Sequence, residues 1–423
     1  MSRGVFALGA VAVAAAVVLP GAMGSGAATP GVTAKIVSIG GTFPFSGPAS
    51  SYAPIPVGMQ AYFSYVNATR TGGQKTGGKR GIFGRQIAFD AEDDGYNPAL
   101  TVQKTKELVE QKHVFALVGG LGTEPQEAVT AYLNQQKVPQ IYVSTGATEW
   151  GARDKHASHP WTIGWQPDYQ AEAAIYGRYI VKNLPNAKIG IIFQNDSYGR
   201  DYINGLLAGL GSHKNQIVSQ QGFEITDTSV ANQVIALRRA GVDTLMIFGT
   251  PTPTIRTYAT MAAIGWKPQN IFLNSVSATD TFMAIAVARA GAAEVNGSIS
   301  TYYDKDPANP SWNNDPGMKL YKSIMAKYAP ANAKVTDGLY IYGMAKAYTF
   351  VQALKAAGPN PTRANLMKAV LNMNDKSNPF VLPGVVTKTG KGDYFPISQQ
   401  KLLVFNNGLW QPRGDLTDAR PKG

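Results

Sequence analysis

The sequence predicts an α/β fold built from two doubly wound parallel-sheet units, and three observations carry that reading. Short apolar runs rich in β-branched residues alternate with helical patterns, the βαβ succession of a parallel sheet covered on both faces. The succession occurs once before Trp165 and again after it. Finally, 423 residues, 44% apolar and only 16% charged, exceed one ordinary core and are too apolar for a disordered chain.

In the first unit Lys35–Ile39, Gln86–Asp90 and Val114–Val118 read as buried strands bounded by turn residues. Helices are expected at Gly58–Val66, Pro98–Gln111 and Glu124–Gln135, and the next strand at Gln140–Val143. The second unit follows with helices at Tyr169–Asn183, Tyr198–Gly211, Val230–Ala240 and Thr254–Ile264. Its strands are Lys188–Phe193, Gln216–Ser219, Thr244–Phe248 and Ile271–Leu273. Val230, Val234 and Leu237 fall on one face of their helix, the stripe that packs on a sheet. From about Thr301 the pattern turns helical at Pro316–Tyr328 and Asp337–Ala357, then Gly/Pro-rich with a strand at Leu402–Phe405.

The N-terminus points to export. Met1-Ser2-Arg3 precedes an apolar run from Val5 to Leu19, then Pro20 and small residues from Gly21 to Ala28. These are the parts of a signal peptide over residues 1–28, cleaved near Ala28, and the run is shorter than the roughly 20 residues of a membrane span. An uncleaved anchor is the rival reading. Either way the mature chain is expected to be periplasmic or extracellular.

The chain has no cysteine, which excludes disulfides, thiolate metal sites, a cysteine nucleophile and a cysteine-acylated lipoprotein. Net charge is +12. Part of it lies in Arg70–Arg85, where Lys75, Lys79, Arg80 and Arg85 sit among glycines and threonines, the composition of a solvated loop rather than a phosphate or partner patch. No basic stripe interleaves with aromatics, so nucleic acid is not an expected partner.

Catalytic constellations are poorly supported. Of His113, His156, His159 and His213, only His156 and His159 are close in sequence, and no third ligand accompanies them, so no metal is expected. Gly120-Leu121-Gly122 resembles the start of a dinucleotide fingerprint, but Pro125 occupies the third glycine position, and no cofactor is expected. A secreted α/β hydrolase would need one of the histidines beside Ser46, Ser144 or Thr148.

Hydroxyls and glycines do gather after the strands. Gly119-Gly120-Leu121-Gly122-Thr123-Glu124-Pro125-Gln126 follows one, with Thr123 and Gln126 spaced as a capping box, and Ser144-Thr145-Gly146-Ala147-Thr148 follows the next. Such turns cap helices and equally receive anions. In open α/β sheets both would face one crevice beyond the carboxyl ends of the strands.

A series of motifs then resembles a known family. Thr42-Phe43-Pro44-Phe45-Ser46-Gly47-Pro48 near Tyr52, Gly81-Ile82-Phe83-Gly84-Arg85, Asp93-Asp94 with Pro98, Gly119-Gly120, Thr145-Gly146-Ala147-Thr148 and Asp196-Ser197-Tyr198-Gly199 occur in order. Together they resemble the leucine/isoleucine/valine-binding family of periplasmic substrate-binding proteins, of type I topology. The resemblance implies two lobes joined by a three-segment hinge, with lobe I formed by residues 32–160 and 302–378 and lobe II by residues 161–301 and 379–423. Trp161–Gly164, Ser298–Tyr302 and Pro379–Val385 would form the hinge. It implies a monomeric, non-enzymatic, extracytoplasmic solute-binding protein that delivers a small ligand to an ABC transporter permease; an extracellular sensing module is the alternative.

Residue by residue, Thr123 matches a hydroxyl that bonds the ligand's α-carboxylate, with Leu121 and Gly122 beside it. Gly146 and Thr148, flanking Ala147, match the second carboxylate-binding turn. Tyr52 matches an aromatic wall of the first lobe, and Tyr198 the residue of the second lobe that closes over the ligand. Two departures follow. Thr250 stands where the amino-acid binders place a tyrosine, and Val276 where they place the glutamate that pairs with the ligand's ammonium. An amino-acid-like ligand would therefore lack a free ammonium, as a carboxylate or amide does, or would pair it with an acid from elsewhere, such as Asp337 or Asp304, because a buried unpaired ammonium is costly.

Overall fold

The computed structural model describes residues 29–70, 79–152 and 157–418. The expected signal segment, the centre of the basic loop with Lys75, and His156 lie outside the described residues.

The first sheet contains β1 (Ile36–Phe43), β2 (Gln86–Asp93), β3 (Ala116–Val118), β4 (Gln140–Val143) and β5 (Thr162–Gly164), in the order β2-β1-β3-β4-β5. Every neighbouring pair is parallel. Helices α1 (Pro54–Ala68), α2 (Pro98–Lys106) and α3 (Thr123–Gln135) connect the strands. Asn97 starts α2 by accepting from Ala99 N at 2.9 Å and Leu100 N at 3.2 Å. The helix expected to run to Gln111 ends at Lys106 and continues as a π turn over Glu107–Gln111.

The second unit begins with α4 (Tyr169–Asn183) and alternates β6 (Ile189–Gln194), α5 (Ser197–Leu210), β7 (Ile217–Phe223), α6 (Ala231–Arg239), β8 (Thr244–Phe248), α7 (Pro251–Ala263) and β9 (Asn270–Leu273). Helices α8 (Asp280–Ala290) and α9 (Ala292–Val295) then lead to β10 (Ile299–Tyr302). The sheet order is β10-β9-β8-β6-β7, with two strands from the end of the chain, β13 (Gln399–Asn406) and β14 (Leu409–Asp418), added outside β10. All five residues of β8 are buried, as expected of a central strand with helices on both faces.

After β10 the chain returns to the first unit with α10 (Pro316–Tyr328), α11 (Gly338–Ala357) and α12 (Arg363–Val370), followed by the short β11 (Asn374–Asp375) and β12 (Thr387–Lys388). It crosses again into β13 (Gln399–Asn406) and β14 (Leu409–Asp418), which add antiparallel to the second sheet. The hairpin turns at Asn407 and Gly408, with φ of 50° and 81°. Asn-Gly is the pair that a two-residue hairpin turn with positive φ favours.

The chain therefore crosses between the units three times. β5, placed by the sequence reading in a hinge beyond residue 160, extends the first sheet. Phe380, Val381, Val385 and Ile397, assigned by that reading to lobe II, pack in the core built around α1 and α11. The reason is local pairing: Lys305 N donates to Phe380 O at 3.0 Å and Leu382 N to Tyr303 O at 2.8 Å, which ties 380–382 to the strand leaving β10. No helix among the described residues is long and apolar enough to cross a membrane.

Candidate functional site

A cleft of about 790 Å³, open solvent at its mouth included, lies between the two units. It sits beyond the carboxyl ends of the strands, where the backbone leaves the sheet and side chains of separate turns converge. Leu121, Gly122 and Thr123 reach it after β3, Ser144 after β4, Tyr198 after β6, Thr250 after β8 and Val276 after β9. Tyr302 ends β10, Tyr303, Asp304 and Lys305 come from the crossing that follows it, and Tyr342 comes from α11. Tyr52, Tyr96 and Tyr169 complete a wall of seven tyrosines, which supplies large apolar area with polar tips.

Of the residues named from the sequence, Tyr52, Leu121, Gly122, Thr123, Ser144, Tyr198, Thr250, Val276 and the alternative acid Asp304 line this cleft. Tyr52 spans it, its hydroxyl donating to Val276 O at 3.2 Å. Tyr198 Oη accepts from Asn274 Nδ2 at 2.5 Å, and Asn274 also fixes the Val276 turn by accepting from Ser277 N at 3.1 Å. Thr250 donates to Gln194 Oε1 at 3.1 Å at the start of α7. Gly122 has φ of 101°, and a Cβ there would come within 2.6 Å of the Tyr96 ring. Only glycine lets that ring close against the start of α3.

The remaining residues have other surroundings. Gly146 lies against Pro167, whose carbonyl oxygen would be 2.0 Å from a Cβ. Ala147 N donates to Thr145 Oγ1 at 3.0 Å. Thr148 turns away from the cleft wall: its Oγ1 donates to Asp168 Oδ1 at 2.6 Å and its N to Asp201 Oδ2 at 2.8 Å. Asp337 caps α11 by accepting from Leu339 N at 2.9 Å. The expected capping box at Thr123 does not form. Gly122 is the cap residue, Thr123 Oγ1 pairs with Thr145 Oγ1 at 2.8 Å, and Gln126 reaches across to Thr42 Oγ1 at 2.7 Å. The side chains have tertiary partners, and these win over the local cap.

Two buried ionisable groups beside the cleft were not singled out from the sequence. Glu172, fully buried on α4, accepts from Ser275 N at 2.8 Å, Ser275 Oγ at 2.7 Å, Tyr176 Oη at 2.8 Å and Tyr202 Oη at 3.1 Å. Burial pushes its carboxyl up, and the four donors pull it back. Its acceptor sites are taken up in holding the Val276 turn. Lys346 on α11, also fully buried, donates to Gly119 O at 3.0 Å and to Ser144 Oγ, with its Nζ 4.8 Å from the Tyr342 ring centroid. Burial holds this amine well below its ordinary range. In sequence both are single charges within helical patterns, and only the fold shows that they point inward.

Asp304 differs from Glu172 because its Oδ1 has no partner among the described residues. Burial pushes its carboxyl up to about 8, against the pull of Lys346. Further along, burial and then the neighbouring Asp306 carboxyl push Asp280 up to about 10. Among the described residues no group of histidines and acids could hold a metal ion. His113 and His213 are exposed, and neither they nor His159 line the cleft.

Comparison with known proteins gives one sequence family and many solved structures of similar fold. A family described as periplasmic binding protein matches residues 36–394. No curated protein matches the chain. A branched-chain amino acid ABC transporter protein from Thermus thermophilus, solved with bound valine, is 17% identical with a TM-score of 0.77, over 91% of this chain and 97% of that one. A possible leucine/isoleucine/valine-binding protein from Rhodopirellula baltica SH 1 is 20% identical with a TM-score of 0.74, over 90% and 97%. A fatty acid ABC transporter substrate-binding protein from Thermomonospora curvata is 18% identical with a TM-score of 0.73, over 92% and 94%. At these identities the likeness is one of fold.

Proposed function

This chain belongs to the periplasmic binding protein family, and from that premise we propose that it is an exported solute receptor of an ABC importer. It captures a small amphipathic molecule between its two units and presents the closed complex to a membrane permease. The observation that carries the reading is the cleft itself, walled by tyrosines from both units and reached by turns from five separate strands. The export pattern of residues 1–28 supports delivery outside the cytoplasm, and the absence of cysteine leaves no residue for lipid attachment through a thioether.

Leu121, Gly122, Thr123, Thr250 and Val276 shape the ligand's surroundings, while Tyr52 and Tyr198 provide aromatic faces from opposite units. Gly146, Ala147, Thr148 and Asp337 support that wall without lining it. The chain works without a cofactor and as a monomer.

Mass spectrometry of the solute that co-purifies, followed by calorimetric titration, tests the reading. Tyr198→Ala should weaken binding of that solute by tenfold or more, since a buried aromatic side chain contributes about 1.5–3 kcal/mol. Binding unaffected by that variant, with folding verified by circular dichroism, would place the solute outside the cleft.

A further inference from the structure

We propose that the captured solute is a small protonated amine with an apolar body, its ammonium meeting Asp304 and its hydrocarbon taken by the tyrosine walls. The inference rests on the reading of the cleft as a solute site. Asp304 lines the cleft where the chain leaves β10, is 7% exposed, and keeps Oδ1 without a partner. Buried polar groups are almost always hydrogen-bonded, and an unmet carboxyl oxygen is expensive. An orphan oxygen on the wall of a binding cleft therefore specifies a donor on what binds there.

The cations nearby are committed elsewhere. Lys305 donates to Asp315 Oδ1 at 2.7 Å and to Pro379 O at 2.8 Å. Lys346 faces Asp304 from α11 with no contact of salt-bridge length, and spends its donors on Gly119 O and Ser144 Oγ. The phenols of Tyr302, Tyr303 and Tyr342 also face Asp304, and the carboxyls of Asp280 and Asp306 gather around the same Tyr302. None of these adds a positive charge. Tyrosine faces attract cations as well as apolar groups. The other buried carboxyl beside the cleft, Glu172, has its oxygens filled by four donors and so has nothing to offer.

Proton linkage gives the inference a signature. Asp304 is held up to about 8 in the free protein, so near neutral pH it carries a proton that an incoming ammonium displaces. Amine binding then releases a proton to the buffer and tightens as pH rises from 6 towards 8, by about tenfold from 6 to 7 and about fivefold from 7 to 8.

Calorimetry with 2-phenylethylamine, 3-phenylpropanoate, 3-phenylpropanamide and L-leucine, each in two buffers of different ionisation enthalpy, makes the test. The amine should bind at least tenfold tighter than the carboxylate or the amide, with proton release, and Asp304→Asn should weaken it at least tenfold and abolish the release. The comparison of probes and the proton count need only the unmodified protein, so they stand even where the variant fails to fold. Tighter binding of the carboxylate or the amide than of 2-phenylethylamine and leucine, sensitive to Tyr198→Ala, would overturn the amine inference and leave the cleft as a solute site. Binding of the probes that ignores Tyr198→Ala would overturn both, and no binding by any probe would overturn the amine inference alone.

Discussion

Lys346 shows what a single buried charge does to this protein. Burial holds its amine well below the ordinary range. Just below that range the unfolded chain carries a proton that the folded protein has released, so this residue makes stability rise with pH there. Lys346→Met removes the effect, and Ser144 Oγ, which donates to Gly119 O at 2.9 Å, keeps that carbonyl satisfied. Unfolding free energy measured in urea from about pH 7 to 9 should climb less steeply in the variant than in the parent; parallel curves would contradict the assignment. The same scale marks the limit of sequence reading. Leu121 and Thr123 were legible because they follow a strand directly, and residues just past strand ends reach the crevice, whereas Tyr198 and Thr250 were named only through the family resemblance. Asp337 and Thr148 were not separable from them, since a carboxylate or hydroxyl after a turn serves equally as a cap or a ligand contact. Leu339 N and the Asp168 carboxylate decided between those roles.

The helices were legible as elements because their apolar periodicity survives in any context. Their meeting points were not. α1 and α11 cross where Gly58 and Gly343 face each other's backbones: a Cβ at Gly58 would lie 2.1 Å from Tyr340 O, and one at Gly343 2.1 Å from Ile55 O. α4 and α5 approach the same way, with a Cβ at Gly205 only 2.2 Å from Gln170 O. Backbone atoms cannot move aside as a flexible side chain can. Gly343→Ala should therefore destabilise by about 1–3 kcal/mol, read as a lower urea midpoint at unchanged slope. Gly58→Ala acts on the same contact, so the double variant should lose less than the sum. A loss of under about 0.5 kcal/mol in Gly343→Ala, the size of an ordinary surface substitution, would show that the helices can separate freely.

At the scale of the molecule, hydrogen bonds cross between the units: Tyr52 to Val276, Thr148 to Asp201, and Ser197 Oγ to Glu127 Oε2 at 3.1 Å. Three chain crossings permit one unit to rotate on the other, the hinge closure by which two-lobed receptors trap a solute. A chain without cysteine lets this be measured cleanly. Nitroxide labels on Glu124→Cys at the start of α3 and Arg200→Cys on α5, both exposed sites, should report a shorter and narrower distance distribution when the solute is added. A distribution that stays the same would argue against closure. By itself the sequence determined the α/β class, the two tandem sheets and the turns that approach the cleft, because strand and helix periods and strand-end positions are local properties. The tertiary structure alone decided that Phe380–Ile397 fills the first core, that Glu172 is saturated and that Asp304 is not. Those outcomes depend on which distant groups come within hydrogen-bonding reach, and no spacing along the chain records that.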